Sequence, residues 1–126
     1  MKKGLILTIA KILFALPMII FGLNKLLGFM AVPPPEGELA QTFMGAMFTT
    51  YLFKLVAGTQ IIGGVLTLIP RTSFIGILML LPIVANIVGY HIAHDMPGNG
   101  IWIFTLLTTC LVTYLYSDKF KTLLVN

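Results

Sequence analysis

Apolar residues fall into four long runs, separated by short segments rich in proline, glycine and charge. The runs extend from about Gly4 to Phe29, Tyr51 to Ile69, Ser73 to Ile92 and Ile101 to Tyr116. A helix needs about 20 apolar residues to cross a hydrocarbon layer of ~30 Å, so each run predicts a membrane span. The fourth is short, and either stands nearly upright or continues into its tail. The breaks have chemical causes. Pro33, Pro34 and Pro35 followed by Glu36-Gly37 cannot continue a helix. Pro70-Arg71-Thr72-Ser73 makes a tight turn, and Asp95-Met96-Pro97-Gly98-Asn99-Gly100 is turn-forming throughout. Between the first two runs, Leu39, Phe43 and Met47 recur at i, i+4, i+8, with Met44 and Phe48 beside them. That single apolar face predicts a short helix within 38–50, lying in the membrane interface and leading into the second span.

Composition agrees with the pattern. Of 126 residues, 58% are hydrophobic and 10% charged, against roughly 25% charged in an ordinary soluble domain. Mean hydropathy is +1.01. Disorder is excluded by the hydrophobicity, and a disulfide scaffold by the single cysteine, Cys110. A soluble domain of this size lacks the polar groups to cover its surface. The expectation is an all-α integral membrane four-helix bundle forming a single domain over residues 1–126.

Charge adds a direction. Lys2, Lys3, Arg71, Lys119 and Lys121 fall on one side of a four-span arrangement, and Glu36, Glu38 and Asp95 on the other. Lys and Arg mark the cytoplasmic face, so both termini are expected inside. Lys11, early in the first span, is expected to snorkel to the inner headgroups. The net charge of +4 is then a topology signal, and no nucleic-acid partner is implied. Met1-Lys2-Lys3 before an apolar run resembles a signal peptide, but that run is far longer than an h-region of roughly 7–15 residues. The first span is therefore expected to remain. Tyr51, Tyr90, Trp102, Tyr114 and Tyr116 fall near span ends, as interfacial aromatic belts do.

Polar side chains within the spans are costly and need a reason. Placed by depth, Asn24, Lys25, Lys54, Gln60, Asn86, His91 and His94 gather in the outer half of the bundle. The inner half carries mostly small hydroxyls such as Thr67 and Thr113. Two readings stand. Lys25 and Lys54 snorkel to the interface, and Asn24, Gln60 and Asn86 join helices by hydrogen bonds. Alternatively, the group lines one outward-facing cavity, suited to a polar head on an apolar tail, such as a quinone or a phospholipid. Ala57, Gln60 and Gly64 share a face, and Gly63-Gly64 predicts a tight helix crossing. A weak internal echo relates Pro17…Asn24 to Pro82…Asn86, on two spans of the same direction.

His91, His94 and Asp95 form an H-x-x-H-D run at a span end. Three ligands and a water can hold a metal, but the spacing is no metal signature and no further ligand is near, so no metal is expected. The alternatives are a helix-end histidine favoured by the dipole, or an imidazole exchanging protons beside a quinol. Dithiol chemistry needs a second cysteine. No phosphate-binding loop, H-E-x-x-H or G-x-S-x-G is present. No catalytic residue is assigned, and an isolated enzyme is not expected.

Phe21-Gly22-Leu23-Asn24-Lys25-Leu26-Leu27-Gly28-Phe29 resembles the end of the first helix in DoxX-like membrane proteins. Tyr51-Leu52…Gly63-Gly64-Val65-Leu66-Thr67-Leu68-Ile69-Pro70-Arg71 is similar to that family's second helix, and Pro82…Asn86…His91 with Pro97-Gly98 to its third. The likeness spans about Ile12 to Leu115. It implies a four-helix bundle in a bacterial cytoplasmic membrane. Some relatives are associated with thiosulfate oxidation coupled to quinone, or with redox-stress complexes; many have no established activity. The outer polar cluster in an otherwise apolar bundle points to a quinone- or lipid-interacting accessory subunit, without an intrinsic cofactor, that contacts membrane lipid and an extracytoplasmic or membrane oxidoreductase. The alternatives are a structural or assembly subunit without a ligand and a small-solute transporter, against which the apolar inner half argues. In the family a Glu commonly precedes the glycine pair. Here Gln60 stands there, which removes a proton-carrying group. Nothing in the sequence fixes an oligomeric state.

Overall fold

The computed structural model describes residues 2–31, 34–94 and 100–124, and is all-α. The helices are α1 (Lys2–Leu27), α2 (Glu38–Phe48), α3 (Tyr51–Leu68), α4 (Ser73–His94), α5 (Ile101–Leu115) and α6 (Ser117–Leu124). Three of them, α1, α3 and α4, are long and apolar enough to cross a membrane. A fourth crossing exists if α5 and α6, bent by 71° at their junction, count as one span. Only 28% of the most apolar stretch of each long helix is buried in the bundle. Leucine and isoleucine therefore face outward, as they do towards lipid. The predicted turn residues 95–99 and Pro33 lie outside the described residues.

Packing runs from α1 to α3, α3 to α4, α4 to α5 and α5 back to α1, a closed ring of four, with α2 laid against α3 and α4. Close approach is built into α3. A Cβ on Gly64 would meet Ile19 at 2.5 Å and the Ala15 carbonyl at 3.1 Å, so α1 crosses α3 backbone to side chain there. A Cβ on Gly76 would lie 2.5 Å from the Gly63 carbonyl, which sets the α3–α4 crossing. The glycine pair is thus a packing device, as its spacing predicted.

Helix ends follow local chemistry. α1 stops at Leu27, two residues earlier than expected, because Gly28 adopts φ +67° and its N–H bonds the Asn24 carbonyl at 2.7 Å. α3 stops at Leu68, where Ile69 is extended ahead of Pro70. α4 runs a little further than predicted, to His94. α6 was expected only as a tail.

The core of Ala10, Phe14, Met18, Ile77, Leu80, Val84 and Val112 sits towards the end shared by the start of α1, the α3–α4 turn and α6. Lys11 is here, and it departs from the snorkelling expectation. It lies on the bundle-facing stripe of α1, is only 8% exposed, and donates from Nζ to Ser73 Oγ at 3.1 Å. Ser73 Oγ lies 2.7 Å from the Thr67 carbonyl and 2.9 Å from that of Ile69. A hydroxyl has one hydrogen and two lone pairs, so Ser73 accepts from Lys11 and donates to the end of α3. One short network ties α1, α3 and α4 together. Phe120 of α6 closes this end edge-on against Phe74, with centroids 4.9 Å apart.

Candidate functional site

The opposite end of the ring is hollow. A cavity of about 860 Å³ opens where α1 and α4 finish and α3 and α5 begin. Pro17, Met18, Phe21 and Lys25 form its α1 wall; Leu52, Val56 and Gln60 its α3 wall; Ile83, Asn86, Ile87, Tyr90 and His91 its α4 wall; Ile101, Trp102 and Thr105 its α5 wall. Phe43, Met44, Ala46 and Met47 of α2 line it, with Thr50 and the Pro34-Pro35-Glu36 segment. Pockets of about 300–1,000 Å³, mainly apolar with a few placed polar groups, are the usual form of small-ligand sites.

Four of the seven polar residues singled out from the sequence meet here: Lys25, Gln60, Asn86 and His91. Lys25 Nζ donates to Gln60 Oε1 at 2.9 Å, and Gln60 Nε2 approaches Met18 Sδ at 3.6 Å. Gln60 is 2% exposed, so both ends of its amide are held by protein. Asn86 Nδ2 donates to the Pro82 carbonyl one turn back at 2.9 Å. His91 Nδ1 lies 2.9 Å from the Ile87 carbonyl. A carbonyl only accepts, so Nδ1 carries the hydrogen and Nε2 is the acceptor of a neutral ring.

The other three stand elsewhere. Asn24 is buried, and its Oδ1 accepts from the Met30 backbone N–H at 2.7 Å. It caps the exit of α1 and is not among the residues that line this cavity. The Pro17…Asn24 and Pro82…Asn86 echo therefore joins two asparagines with different work. Lys54 is exposed on α3 away from the cavity. His94 flanks it in an aromatic cluster, 6.1 Å from both Phe43 and Tyr90.

Two wall residues escaped the sequence reading. Trp102 was expected in an interfacial belt. It is instead 8% exposed and stacked on His91, with centroids 5.6 Å apart and planes 14° apart. Thr105 brings a hydroxyl to the cavity from the inward stripe of α5. Its carbonyl accepts from both Thr108 and Thr109, at 3.0 and 2.6 Å. The signal for it was present: Thr105, Thr108 and Thr109 share a helical face with Trp102 and Val112 at i+3, i+4, i+7 spacings. Phe43 closes the α2 side by stacking on Tyr90 at 5.2 Å.

No protein-family model, curated protein or solved structure matches this chain. Its chemistry is therefore read from the cavity alone. Among the described residues no three His, Cys, Asp or Glu side chains converge to hold a metal; Asp95 lies outside them. The walls can grip an apolar chain, donate hydrogen bonds from Lys25 and Thr105, and accept one at His91 Nε2.

Proposed function

We propose that this chain is a DoxX-like integral membrane protein of the bacterial cytoplasmic membrane, with both termini inside. It binds a quinone or lipid amphiphile in its cavity and serves as an accessory subunit of a membrane redox complex. The observation that carries this reading is the cavity of about 860 Å³, whose apolar walls hold Lys25, Gln60, Asn86 and His91. Such a site suits a polar head on an apolar body. The chain contributes binding and orientation, and a partner oxidoreductase contributes the electrons. The orientation rests on Arg71, Lys119 and Lys121 lying together at the end opposite the cavity.

A purely structural subunit is the alternative. In that reading Asn24, Gln60 and Asn86 bond to one another and leave no space. They bond instead to Met30, Lys25 and Pro82, and the space between the helices is large. Native mass spectrometry of the gently solubilised protein tests the reading. It expects a co-purifying quinone or lipid that is lost when Thr105→Phe fills the cavity, together with an oxidoreductase chain. An empty protein without such a chain would overturn it.

A further inference from the structure

The Lys25 corner of the cavity narrows the chemistry of the head group. Lys25 belongs to the last turn of α1, where the helix dipole favours a cation. Among the described residues its acceptor is the amide oxygen of Gln60, 2.9 Å away. That oxygen is held in place, since Gln60 is buried and its nitrogen is turned to Met18 Sδ. A neutral amide orients an ammonium without neutralising it. An ammonium has three N–H groups, and one is used.

Among the described residues no carboxylate pairs with Lys25. Glu36 lines the same cavity from the loop, but it is exposed, and its charge is spread into solvent. A half-buried cation without a counter-charge is costly, and a charge-assisted hydrogen bond to an anionic oxygen offsets that cost. Phe21, Met47, Val56, Ile83 and Ile87 supply the apolar wall beyond it. The volume matches one chain and a small head more closely than a two-chain phospholipid.

We infer that the cavity holds a single-chain amphiphile with an anionic oxygen head, a carboxylate or a phosphate, seated on Lys25 and backed by Gln60. The inference rests on the cavity being a ligand site and specifies what that site selects. Gln60 is a positioning residue. Its neutrality is what leaves the Lys25 charge for the ligand.

Trp102 is the one tryptophan of the chain and lines the cavity, so its fluorescence reports occupancy. The full-length protein in nanodiscs is titrated with a dibrominated long-chain fatty acid, its methyl ester, a brominated alkyl phosphate and a short-tailed quinone. The acid or the alkyl phosphate quenches saturably, about tenfold or more tightly than the ester; the tighter of the two identifies the head. Lys25→Gln removes that preference. Gln60→Glu also removes it, by giving Lys25 an internal counter-charge without changing side-chain size, and serves even if Lys25→Gln fails to fold. Equal affinity for acid, phosphate and ester overturns the inference, as does a Gln60→Glu protein that keeps the preference. Saturable quenching by the quinone alone overturns the anionic head and leaves the ligand cavity standing. The absence of saturable quenching by any probe overturns both.

Discussion

The two ends of this bundle each place a lysine inside the helix ring, and they treat it in opposite ways. At one end Lys11 is packed: Ser73 accepts from it, α3 carbonyls anchor Ser73, and Phe14, Ile77 and Val112 fill the neighbouring space. At the other end Lys25 donates to the fixed amide of Gln60 and faces a cavity of about 860 Å³. The same residue type in the same ring is a structural tie at one end and an open donor at the other. What separates them is the space around the ammonium: buried apolar side chains fill it at one end, and the cavity opens beside it at the other.

The sharpest way to break the contrast is to disturb the packed end. Gly76→Val places a side chain against the Gly63 carbonyl, 2.5 Å from where its Cβ would sit. It is expected to cost about 3 kcal/mol or more, since neither backbone can retreat without losing the crossing. Thermal unfolding in detergent would read this as a large loss of Tm. A comparably bulky change on the hollow end, Thr105→Phe, is expected to leave Tm within a few degrees. Equal losses for the two variants would mean that the ends do not differ in packing.

Next in size is Ser73→Ala. It strips Lys11 of its acceptor while the ammonium stays in the ring, with an expected cost of about 2 kcal/mol. Chemical unfolding measures it. Asn24→Ala follows, at about 1 kcal/mol, because the Met30 N–H loses its acceptor where α1 exits. Hydrogen exchange at Met30 should accelerate, while exchange within the Phe14–Leu80 core stays unchanged.

These residues also show what the sequence makes legible. The long helices are readable because each is an apolar run bounded by Pro33–Pro35, Pro70 or the 95–100 turn, and helix length in a bilayer is set by thickness. The tight crossing is readable because Gly63-Gly64 has no other economical explanation. Residue depth is readable too, and it brings Lys25, Gln60, Asn86 and His91 to one place. Rotation about the helix axis is not. Lys11 and Lys54 look alike in sequence, yet one turns into the ring and the other out, because neighbouring helices decide which stripe is covered. Asn24 differs from Asn86 for a local reason: a glycine four residues on ends its helix and leaves a backbone N–H to be satisfied. Trp102 reads as a belt residue until α4 brings His91 against its face. α6 is hidden because eight residues after a strong span look like a tail; its register shows only once Phe120 meets Phe74.

The smallest expected effects sharpen the comparison most. Lys11→Met replaces a buried, hydrogen-bonded cation with an apolar chain of similar volume. Ser73 keeps its bond to α3, so stability should change by less than about 1 kcal/mol, and a gain is as consistent as a loss. Lys25→Met in ligand-free detergent should also stay within about 1 kcal/mol, because Gln60 Oε1 then faces a cavity that water can enter. The two variants part when an amphiphile is added. A bound ligand raises Tm by mass action in proportion to its affinity for the folded state. An anionic single-chain amphiphile should therefore stabilise the wild type and Lys11→Met alike, and fail to stabilise Lys25→Met. If Lys11→Met lost the ligand effect as fully as Lys25→Met, the packed end would be part of the binding site, and the division of labour between the two lysines would be wrong.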